Sequence, residues 1–207
     1  MKNKYSNIDT IVFDFGGVLI DWNPRYLYKT LLDDEEKIEW FLKNICTDEW
    51  NLEQDKGRSL KAATKFLTDK FPEHKNLIEA YYGQWEQMLK GEIAETVEIL
   101  HELKKKFKIY GLTNWSAETF PVALERFKFF QLFDGIVVSG DEKIIKPEKE
   151  IFYLLLKRYN LRAENCLFID DNIKNIQAAV NIGFHAIHFI SAEDLKEKLL
   201  SMKIIKA

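Results

Sequence analysis

The sequence predicts an α/β fold in which a parallel sheet lies between two layers of helices and an α-helical cap is inserted into this three-layer core. Short apolar runs of strand length alternate with helical segments in the second half of the chain. A long region of helical periodicity separates the first apolar run from the others. Polar residues follow several of these runs, as at the ligand-binding edge of an open α/β sheet.

The first strand is predicted at residues 11–13, a continuous apolar run that suits a parallel strand buried on both faces. From Pro24 onward, apolar residues recur at spacings of three, four and seven, which is typical of amphipathic helices. No strand is predicted between Asp21 and Gly91. We therefore expect residues 21–90 to form the helical cap, and residues 1–20 and 91–207 to form the core domain.

Beyond residue 91 the pattern alternates between the two kinds of element. Strands are predicted at residues 108–113, 135–140, 166–170 and 185–190. Helices are predicted around residues 97–103, from the second strand to about Phe130, from Pro147 and at residues 173–181. Strands that alternate with helices of this length form right-handed βαβ units, so the core is predicted to be Rossmann-like with a parallel sheet.

Composition narrows the classes of partner. The chain of 207 residues has 30 basic and 33 acidic residues and a net charge of −3, so it has no overall basic field to attract nucleic acid or an anionic membrane. No apolar stretch is long enough to span a bilayer, and no secretory signal precedes the first strand, so we expect a cytoplasmic protein with a small-molecule partner. Cys46 and Cys166 are far apart and are expected to be buried free thiols.

Polar side chains occur where the predicted strands end. The carboxyl ends of parallel strands meet at one edge of a sheet, so residues that are more than a hundred positions apart are expected to converge there. Taken singly, each of these residues has a simple alternative role as a turn former or helix cap. Three carboxylates close together repel one another unless a cation joins them, which points to a common site. The residues are Asp14, Thr113, Asn114, Lys146, Asp170 and Asp171.

The order of these segments resembles the haloacid dehalogenase superfamily of hydrolases. FDFGGVL, LTN, KPE and FIDDN are similar to the first, second, third and fourth motifs of that family, and they occur in the same order on the predicted strands. The helical insertion between the first two motifs resembles the α-helical cap of the family. The likeness covers essentially the whole chain, and it extends to members that resemble sugar-1-phosphate phosphatases.

The resemblance implies a role for each matching residue. Asp14 would be the nucleophile that forms an aspartyl-phosphate, and Lys146 would hold Asp14 and the phosphoryl oxygens by charge. Thr113 and Asn114 would donate hydrogen bonds to the phosphoryl group, and Gly17 would let the backbone approach the substrate. The implied cofactor is Mg²⁺, which prefers oxygen ligands. Its ligands would come from Asp14, the carbonyl group of Gly16, Asp170 and Asp171.

Gly16 departs from the family pattern. Most phosphatases of the family have a second aspartate there, which moves protons for the leaving group and for water; glycine cannot. General acid–base assistance is worth about 10²- to 10⁴-fold in rate, so its loss matters least for leaving groups that depart easily. We therefore expect a Mg²⁺-dependent phosphatase of a small phosphorylated metabolite, with sugar 1-phosphates among the candidates.

Two alternative functions stay open. The chain could be a 2-haloacid dehalogenase in which Asp14 forms an ester with carbon, since a halide leaves without a proton. Dehalogenases of the family need no metal and generally lack the paired aspartates of the fourth motif, so Asp170 and Asp171 favour the phosphatase. The chain could also be a catalytically weakened scaffold that binds a phosphorylated ligand or a protein. The sequence leaves the oligomeric state open.

Substrate specificity is expected to lie in the cap. Residues 51–60, NLEQDKGRSL, interrupt the helical pattern with charged residues and a glycine, and they resemble the family's cap loop over the active site. The candidate substrate contacts are Glu53, Asp55, Lys56 and Arg58. A solvated connection between helices is an equally good interpretation of this segment. Trp22 and Trp115 would either line the entrance or pack in the core.

Overall fold

The computed structural model describes residues 4–206. Its strands are β1 (Thr10–Phe13), β2 (Ile20–Trp22), β3 (Leu89–Glu92), β4 (Lys108–Thr113), β5 (Gly135–Val138), β6 (Cys166–Asp170) and β7 (His185–His188). Its α-helices are α1 (Pro24–Leu31), α2 (Glu35–Asn44), α3 (Asp48–Asp55), α4 (Leu60–Lys70), α5 (Lys75–Gly83), α6 (Ala94–Lys104), α7 (Phe120–Arg126), α8 (Ser139–Glu142), α9 (Lys149–Arg158), α10 (Ile173–Ile182) and α11 (Ala192–Ser201). Short 3₁₀ helices occur at Pro72–His74, Trp85–Met88, Lys128–Leu132 and Ala163–Asn165.

The main sheet has the strand order β5-β4-β1-β6-β7, and all neighbouring strands in it are parallel. Strand β1 pairs with both β4 and β6, so it is the central strand. Every residue of β1 and of β6 is buried, because helices cover both faces of the sheet. The predicted α/β fold with a parallel, Rossmann-like sheet is therefore confirmed.

The two faces of the sheet pack into separate hydrophobic clusters. Ile11 and Phe13 of β1 belong to the larger cluster, which also includes side chains from the helices between β2 and β3. Val12 points to the opposite face and packs with Phe168 and with Phe152 of α9. This division follows from the period of two along a strand, which sends successive side chains to opposite faces. Both faces are thus anchored, and the carboxyl ends of the strands are held in register.

Helices α1 to α5 form the inserted segment, and local capping explains where several of them begin. The side chains of Asn23, Asp34, Thr47 and Ser59 accept hydrogen bonds from backbone N–H groups in the first turns of α1, α2, α3 and α4. Each helix buries apolar residues on one face. The helical character of this region agrees with the sequence analysis. The division at residues 20 and 91 into a core domain and a cap domain stays a prediction.

The prediction that no strand occurs between Asp21 and Gly91 is wrong at both ends of that interval. Strands β2 and β3 pair in antiparallel fashion, with Asp21 opposite Gly91, and join the ends of the inserted segment. Strands of three and four residues are too short to show an alternating pattern. Their partners are also about 70 positions apart in the sequence, so only the tertiary structure brings them together.

Three other predicted boundaries differ from the observed ones. The strand predicted at residues 135–140 ends at Val138, because α8 begins at the next residue, Ser139. The strand predicted at residues 185–190 ends at His188. The helix predicted to open at Pro147 begins at Lys149. The ends of elements depend on capping and on tertiary contacts, which periodicity does not report. Cys46 and Cys166 are buried and free, as expected.

Within residues 4–206, no helix combines the length and the apolar character that are needed to cross a bilayer.

Candidate active site

The predicted polar residues converge at the carboxyl edge of the main sheet. Asp14 directly follows the central strand β1, and Asp170 is the last residue of the neighbouring strand β6. Thr113 is the buried last residue of β4, the neighbour of β1 on the other side. Lys146 comes from the loop between α8 and α9. Residues from four distant parts of the chain are therefore brought to one edge by parallel pairing.

Lys146 lies between two buried carboxylates. Its Nζ atom is 2.9 Å from Oδ2 of Asp14 and 2.7 Å from Oδ2 of Asp170, and its side chain is only 1% exposed. Burial by itself disfavours the charged ammonium group, but the charges of Asp14 and Asp170 outweigh burial and raise the pKa of Lys146. The lysine is thus charged at neutral pH and holds Asp14 in place.

Asp14 is positioned by contacts to both of its carboxylate oxygens. Oδ1 accepts a hydrogen bond of 2.7 Å from the backbone N–H of Phe15, and Oδ2 faces Lys146. Burial raises the pKa of Asp14. The charge of Lys146 opposes this rise, whereas the charges of Asp170 and Asp171 add to it. A carboxylate nucleophile must be ionised, so a bound cation would favour the reactive form of this group.

Asp170 and Asp171 lie in different environments. Asp170 is fully buried, and it accepts hydrogen bonds from the N–H of Asn172 at 2.8 Å and from Nδ2 of Asn175 at 3.0 and 3.1 Å. Asp171 is exposed; loss of hydration around its carboxyl group and the charge of Asp170 raise its pKa. The backbone carbonyl of Asp171 lies 2.8 Å from Nε2 of His188. Asp170 is therefore held rigidly, and Asp171 faces the solvent side of the cluster.

The carboxylates form a donor set that fits a hard divalent cation. Oxygen atoms of Asp14, Asp170 and Asp171 all lie within 4.8 Å of one another. Lys146 neutralises only one of the three negative charges, so the cluster attracts a cation. Mg²⁺ is bound through carboxylates, waters and substrate phosphate, and this donor set provides the carboxylates. The residues of the cluster therefore fit the Mg²⁺ that the sequence analysis expects.

Gly17 shapes the cluster by its backbone conformation. Its φ angle is +72°, and a Cβ atom at this position would lie 2.4 Å from Oδ2 of Asp171, so any side chain here would displace that carboxylate. The N–H of Gly17 donates to the carbonyl of Ile20 at 3.0 Å. The expected substrate contact of Gly17 stays a prediction, but this N–H is already used within the protein.

Asn114 serves the loop that carries Lys146. Its Nδ2 donates to the carbonyl of Lys146 at 3.0 Å, and its Oδ1 accepts from the N–H of Lys146 at 2.8 Å. The side chain therefore binds the lysine backbone through its carbonyl oxygen and one of its two amide hydrogens. The roles of Thr113 and Asn114 as phosphoryl donors stay predictions.

The cap loop is docked on the core. Ser139 Oγ donates to the carbonyl of Asp55 at 2.5 Å and accepts from the N–H of Trp115 at 3.0 Å. Lys56 forms an ion pair of 2.7 Å with Glu148, which precedes α9. These contacts join the end of α3 to the start of α8 and to the loop before α9. The end of α3 is therefore docked on the core at these points.

A cavity of about 100 Å³ lies between the inserted helices and the carboxyl edge of the sheet, and we refer to it as the cap cavity. Four aromatic and five polar side chains line it, together with one glycine. Gly16 is two residues from Asp14 and Asn114 holds the backbone of Lys146, so the cavity lies beside the carboxylate cluster, whose own residues do not line it. The residues lining it are Gly16, Trp22, Asn51, Asp55, Tyr82, Trp85, Asn114, Trp115, Ser116 and Thr119.

Two of the predicted cap contacts lie elsewhere. Arg58 donates to Oε1 of Gln54 at 2.6 Å and to the carbonyl of Trp50 at 3.0 Å, so it braces the end of α3. Lys56 faces Glu148. Neither residue lines the cap cavity, whereas Asp55 does. The substrate contacts of Arg58 and Lys56 stay predictions.

Sequence reasoning missed Asn175 and Ser139. Asn175 holds Asp170 and lies in the first turn of α10, where a buried polar residue among apolar neighbours is the signal that could have revealed it. Ser139 is fully buried and contacts Asp55, 84 positions away. No local pattern encodes such a contact, because its two partners meet only after folding.

Comparison with known proteins places the chain in a family. The model of the haloacid dehalogenase-like hydrolases matches residues 8–183, so the chain belongs to this family of enzymes. Sesquiterpene phosphatase astK of Aspergillus oryzae is 28% identical over 180 residues, which are 86% of this chain and 87% of that protein. The phosphorylated carbohydrates phosphatase of Thermotoga maritima is 22% identical over 186 residues, which are 87% and 84% of the two chains.

Solved structures share the fold. The HAD family enzyme bt-2542 of Bacteroides thetaiotaomicron, crystallised as a magnesium complex, has a TM-score of 0.74 at 21% identity and covers 94% of this chain and 99% of its own. A dehalogenase structure has a TM-score of 0.69 at 18% identity and covers 94% and 98%. At this level of identity the likeness establishes the fold, and the chemistry must be argued from the residues of this chain.

Proposed function

We propose that the chain is a Mg²⁺-dependent phosphatase that transfers the phosphoryl group of a small phosphorylated metabolite to Asp14 and then to water. The observation that carries the proposal is the placement of Asp14 against Lys146, with Asp170 and Asp171 completing a carboxylate cluster that fits Mg²⁺. The cap cavity of about 100 Å³ lies beside this cluster and would receive part of the organic group of a substrate. The phosphatase names of two relatives support the same reaction.

The residues of this chain would have the following roles in the reaction. A carboxylate oxygen of Asp14 attacks phosphorus, the bond from phosphorus to the leaving oxygen breaks, and an aspartyl-phosphate forms on Asp14. Lys146 holds the attacking carboxylate in position and offsets negative charge near the phosphoryl oxygens. Mg²⁺ would supply electrostatic stabilisation of the phosphoryl group when bound by Asp14, Asp170 and Asp171. Water then cleaves the aspartyl-phosphate and restores Asp14.

The cap cavity gives a physical basis for the choice of substrate. Trp22, Tyr82, Trp85 and Trp115 offer aromatic faces, which pack against apolar chains and against the apolar faces of sugar rings. The relatives named for sesquiterpene and carbohydrate phosphates represent these two kinds of organic group. Gly16 supplies no proton, and sugar 1-phosphates, whose leaving oxygen departs easily, are therefore among the candidate substrates.

A substrate panel tests the proposal. Phosphate release from glucose 1-phosphate, farnesyl phosphate and 4-nitrophenyl phosphate is measured with EDTA and with added Mg²⁺. We expect turnover only with Mg²⁺, and a loss on the order of 10⁴-fold or more in Asp14→Asn because that variant lacks the nucleophile. Asp69→Asn, which removes a carboxylate from an exposed pair with Lys65 on α4, is the matched control and should behave as the wild type.

The same experiment separates the alternatives. Full turnover in EDTA would contradict the Mg²⁺-dependent mechanism. Chloride release from 2-chloropropionate, without phosphate release from the panel, would favour the dehalogenase. Activity that is unchanged in Asp14→Asn, or no activity on any substrate while phosphate still binds, would favour the scaffold.

A further inference from the structure

The absence of a side chain at position 16 leaves an opening in the active site. A Cβ atom built on Gly16 would meet no atom within 4 Å apart from its chain neighbours, so the space beside Gly16 is open. Gly16 also lines the cap cavity. A residue on the opposite wall of this cavity could therefore donate a proton to the leaving oxygen.

Among the described residues that line the cap cavity, Asp55 alone carries a carboxyl group. The other ionisable side chain on this wall is Tyr82, whose hydroxyl donates to Oδ1 of Asn51 at 2.9 Å and accepts from Nε2 of Gln54 at 2.8 Å. Burial raises the pKa of Tyr82 well above its ordinary value, so its phenol is a poor acid. Asp55 is therefore the residue whose chemistry suits proton transfer.

Asp55 is held firmly in this position. It is the last residue of α3, and its carbonyl accepts the 2.5 Å hydrogen bond from Ser139 on the core. Its carboxyl group faces Nδ2 of Asn51 at 3.5 Å and the N–H of Ser116. The half-buried Asp55 is therefore held against the core, although it comes from the inserted segment.

The surroundings of Asp55 favour an acid that exchanges protons at neutral pH. Burial raises the pKa of Asp55 to about 7, and the N–H of Ser116 and the charge of Lys146 oppose that rise. Tyr81 and Tyr82 of α5 are the other ionisable groups that interact with it. A general acid or base works best when its pKa is close to the pH of the reaction.

We propose that Asp55 is the catalytic acid and base of this enzyme and replaces the carboxyl group that Gly16 cannot provide. The inference rests on the proposed phosphatase function. In-line transfer places the leaving oxygen on the side of phosphorus opposite the attacking carboxylate, which is the side of the cap when Asp14 lies at the sheet edge. Asp55, which carries a carboxyl group, lines the cap cavity on this side.

The proton transfers balance over the two steps. In the first, Asp14 bonds to phosphorus, the bond to the leaving oxygen breaks, and the Asp55 carboxyl proton passes to that oxygen to give the alcohol. In the second, the Asp55 carboxylate takes a proton from water as the water oxygen bonds to phosphorus. The bond from phosphorus to Asp14 then breaks, which regenerates both side chains and releases inorganic phosphate.

Two substrates that differ in their leaving groups test the inference. Benzyl phosphate releases a weakly acidic alcohol that needs a proton, and 4-nitrophenyl phosphate releases an acidic phenol that does not. In Asp55→Asn we expect kcat/KM for benzyl phosphate to fall by about 10²- to 10⁴-fold, and kcat/KM for 4-nitrophenyl phosphate to fall by less than about 10-fold. A burst of nitrophenol should precede slow turnover, because the second step also lacks its base.

Controls distinguish catalysis from structure. Asp55→Glu keeps a carboxyl group and should recover part of the activity on benzyl phosphate, and Asp69→Asn should match the wild type on both substrates. Equal losses on both substrates, or wild-type rates in Asp55→Asn, would overturn the inference while the phosphatase function stands. If the wild-type protein releases no phosphate from either substrate, the proposed function itself fails, and this inference fails with it.

Discussion

Replacing Lys146 with methionine should destabilise the protein strongly when no divalent cation is present. Methionine fills a similar volume but has no charge, so Asp14 and Asp170 lose the ammonium group that lies 2.9 and 2.7 Å from them. The side chains of the two carboxylates are 12% and 0% exposed, so water cannot replace the lost partner. Breaking a buried ion pair in this way costs about 3–5 kcal/mol.

The loss should depend on pH. Without the ammonium group the pKa of Asp14 rises further above its unfolded value, so the protonated form is the stable one in the folded variant. A folded-state pKa that is raised in this way makes stability fall as pH rises above the unfolded value. Relative to the unfolded state, in which the carboxyl group is ionised, keeping one such group protonated costs only about 1.5 kcal/mol at pH 5. The destabilisation should therefore be close to its full size at pH 8 and markedly smaller at pH 5.

Urea denaturation in EDTA at both pH values measures this effect. Lys56→Met is the matched control because it removes the same cation from an exposed pair with Glu148, whose members are 43% and 38% exposed. Such surface pairs contribute little to stability. The reasoning would be refuted if Lys146→Met and Lys56→Met had equal free energies of unfolding at pH 8, or if the loss in Lys146→Met were greater at pH 5.

Three further predictions concern the same site. Mg²⁺ at 100 times its Kd should add about 2.7 kcal/mol to the free energy of unfolding. The Asp171→Asn variant should lose most of this gain. Thermal unfolding with and without Mg²⁺ measures both effects. Gly17→Ala should destabilise the protein by about 1–2 kcal/mol through its positive φ angle and should weaken Mg²⁺ binding by displacing Asp171. Gly16→Ala should keep wild-type stability, since its Cβ meets nothing within 4 Å; similar losses in the two variants would contradict this explanation. Asp55→Asn should be more stable than the wild type at pH 8, by roughly 2 kcal/mol or less, and not at pH 4, because the raised pKa of Asp55 makes stability fall between about pH 4 and 7. Urea denaturation at the two pH values checks this, and no gain at pH 8 would contradict the raised pKa.

Local patterns predicted the parts of the fold that depend on burial alone. The apolar runs of β1 and β6 and the helical periodicity of the inserted segment reflect which faces are removed from water, and burial leaves a direct trace in the sequence. The convergence of Asp14, Lys146 and Asp171 followed from one further rule, that parallel strands share a carboxyl edge. The short strands β2 and β3 escaped prediction because their pairing depends on a partner about 70 residues away.

The sequence by itself determined the α/β class, the order of the motifs and the identity of the residues at the carboxyl edge, because strand period and chain order control them. Only the tertiary structure decided that Asn114 holds the Lys146 backbone, that Gly17 lies against Asp171, and that Asp55 faces the cap cavity instead of Lys56 or Arg58. These arrangements depend on loop geometry and on contacts between residues that are far apart in the sequence, such as Gly17 with Asp171 and Asp55 with Ser139, which no local pattern encodes.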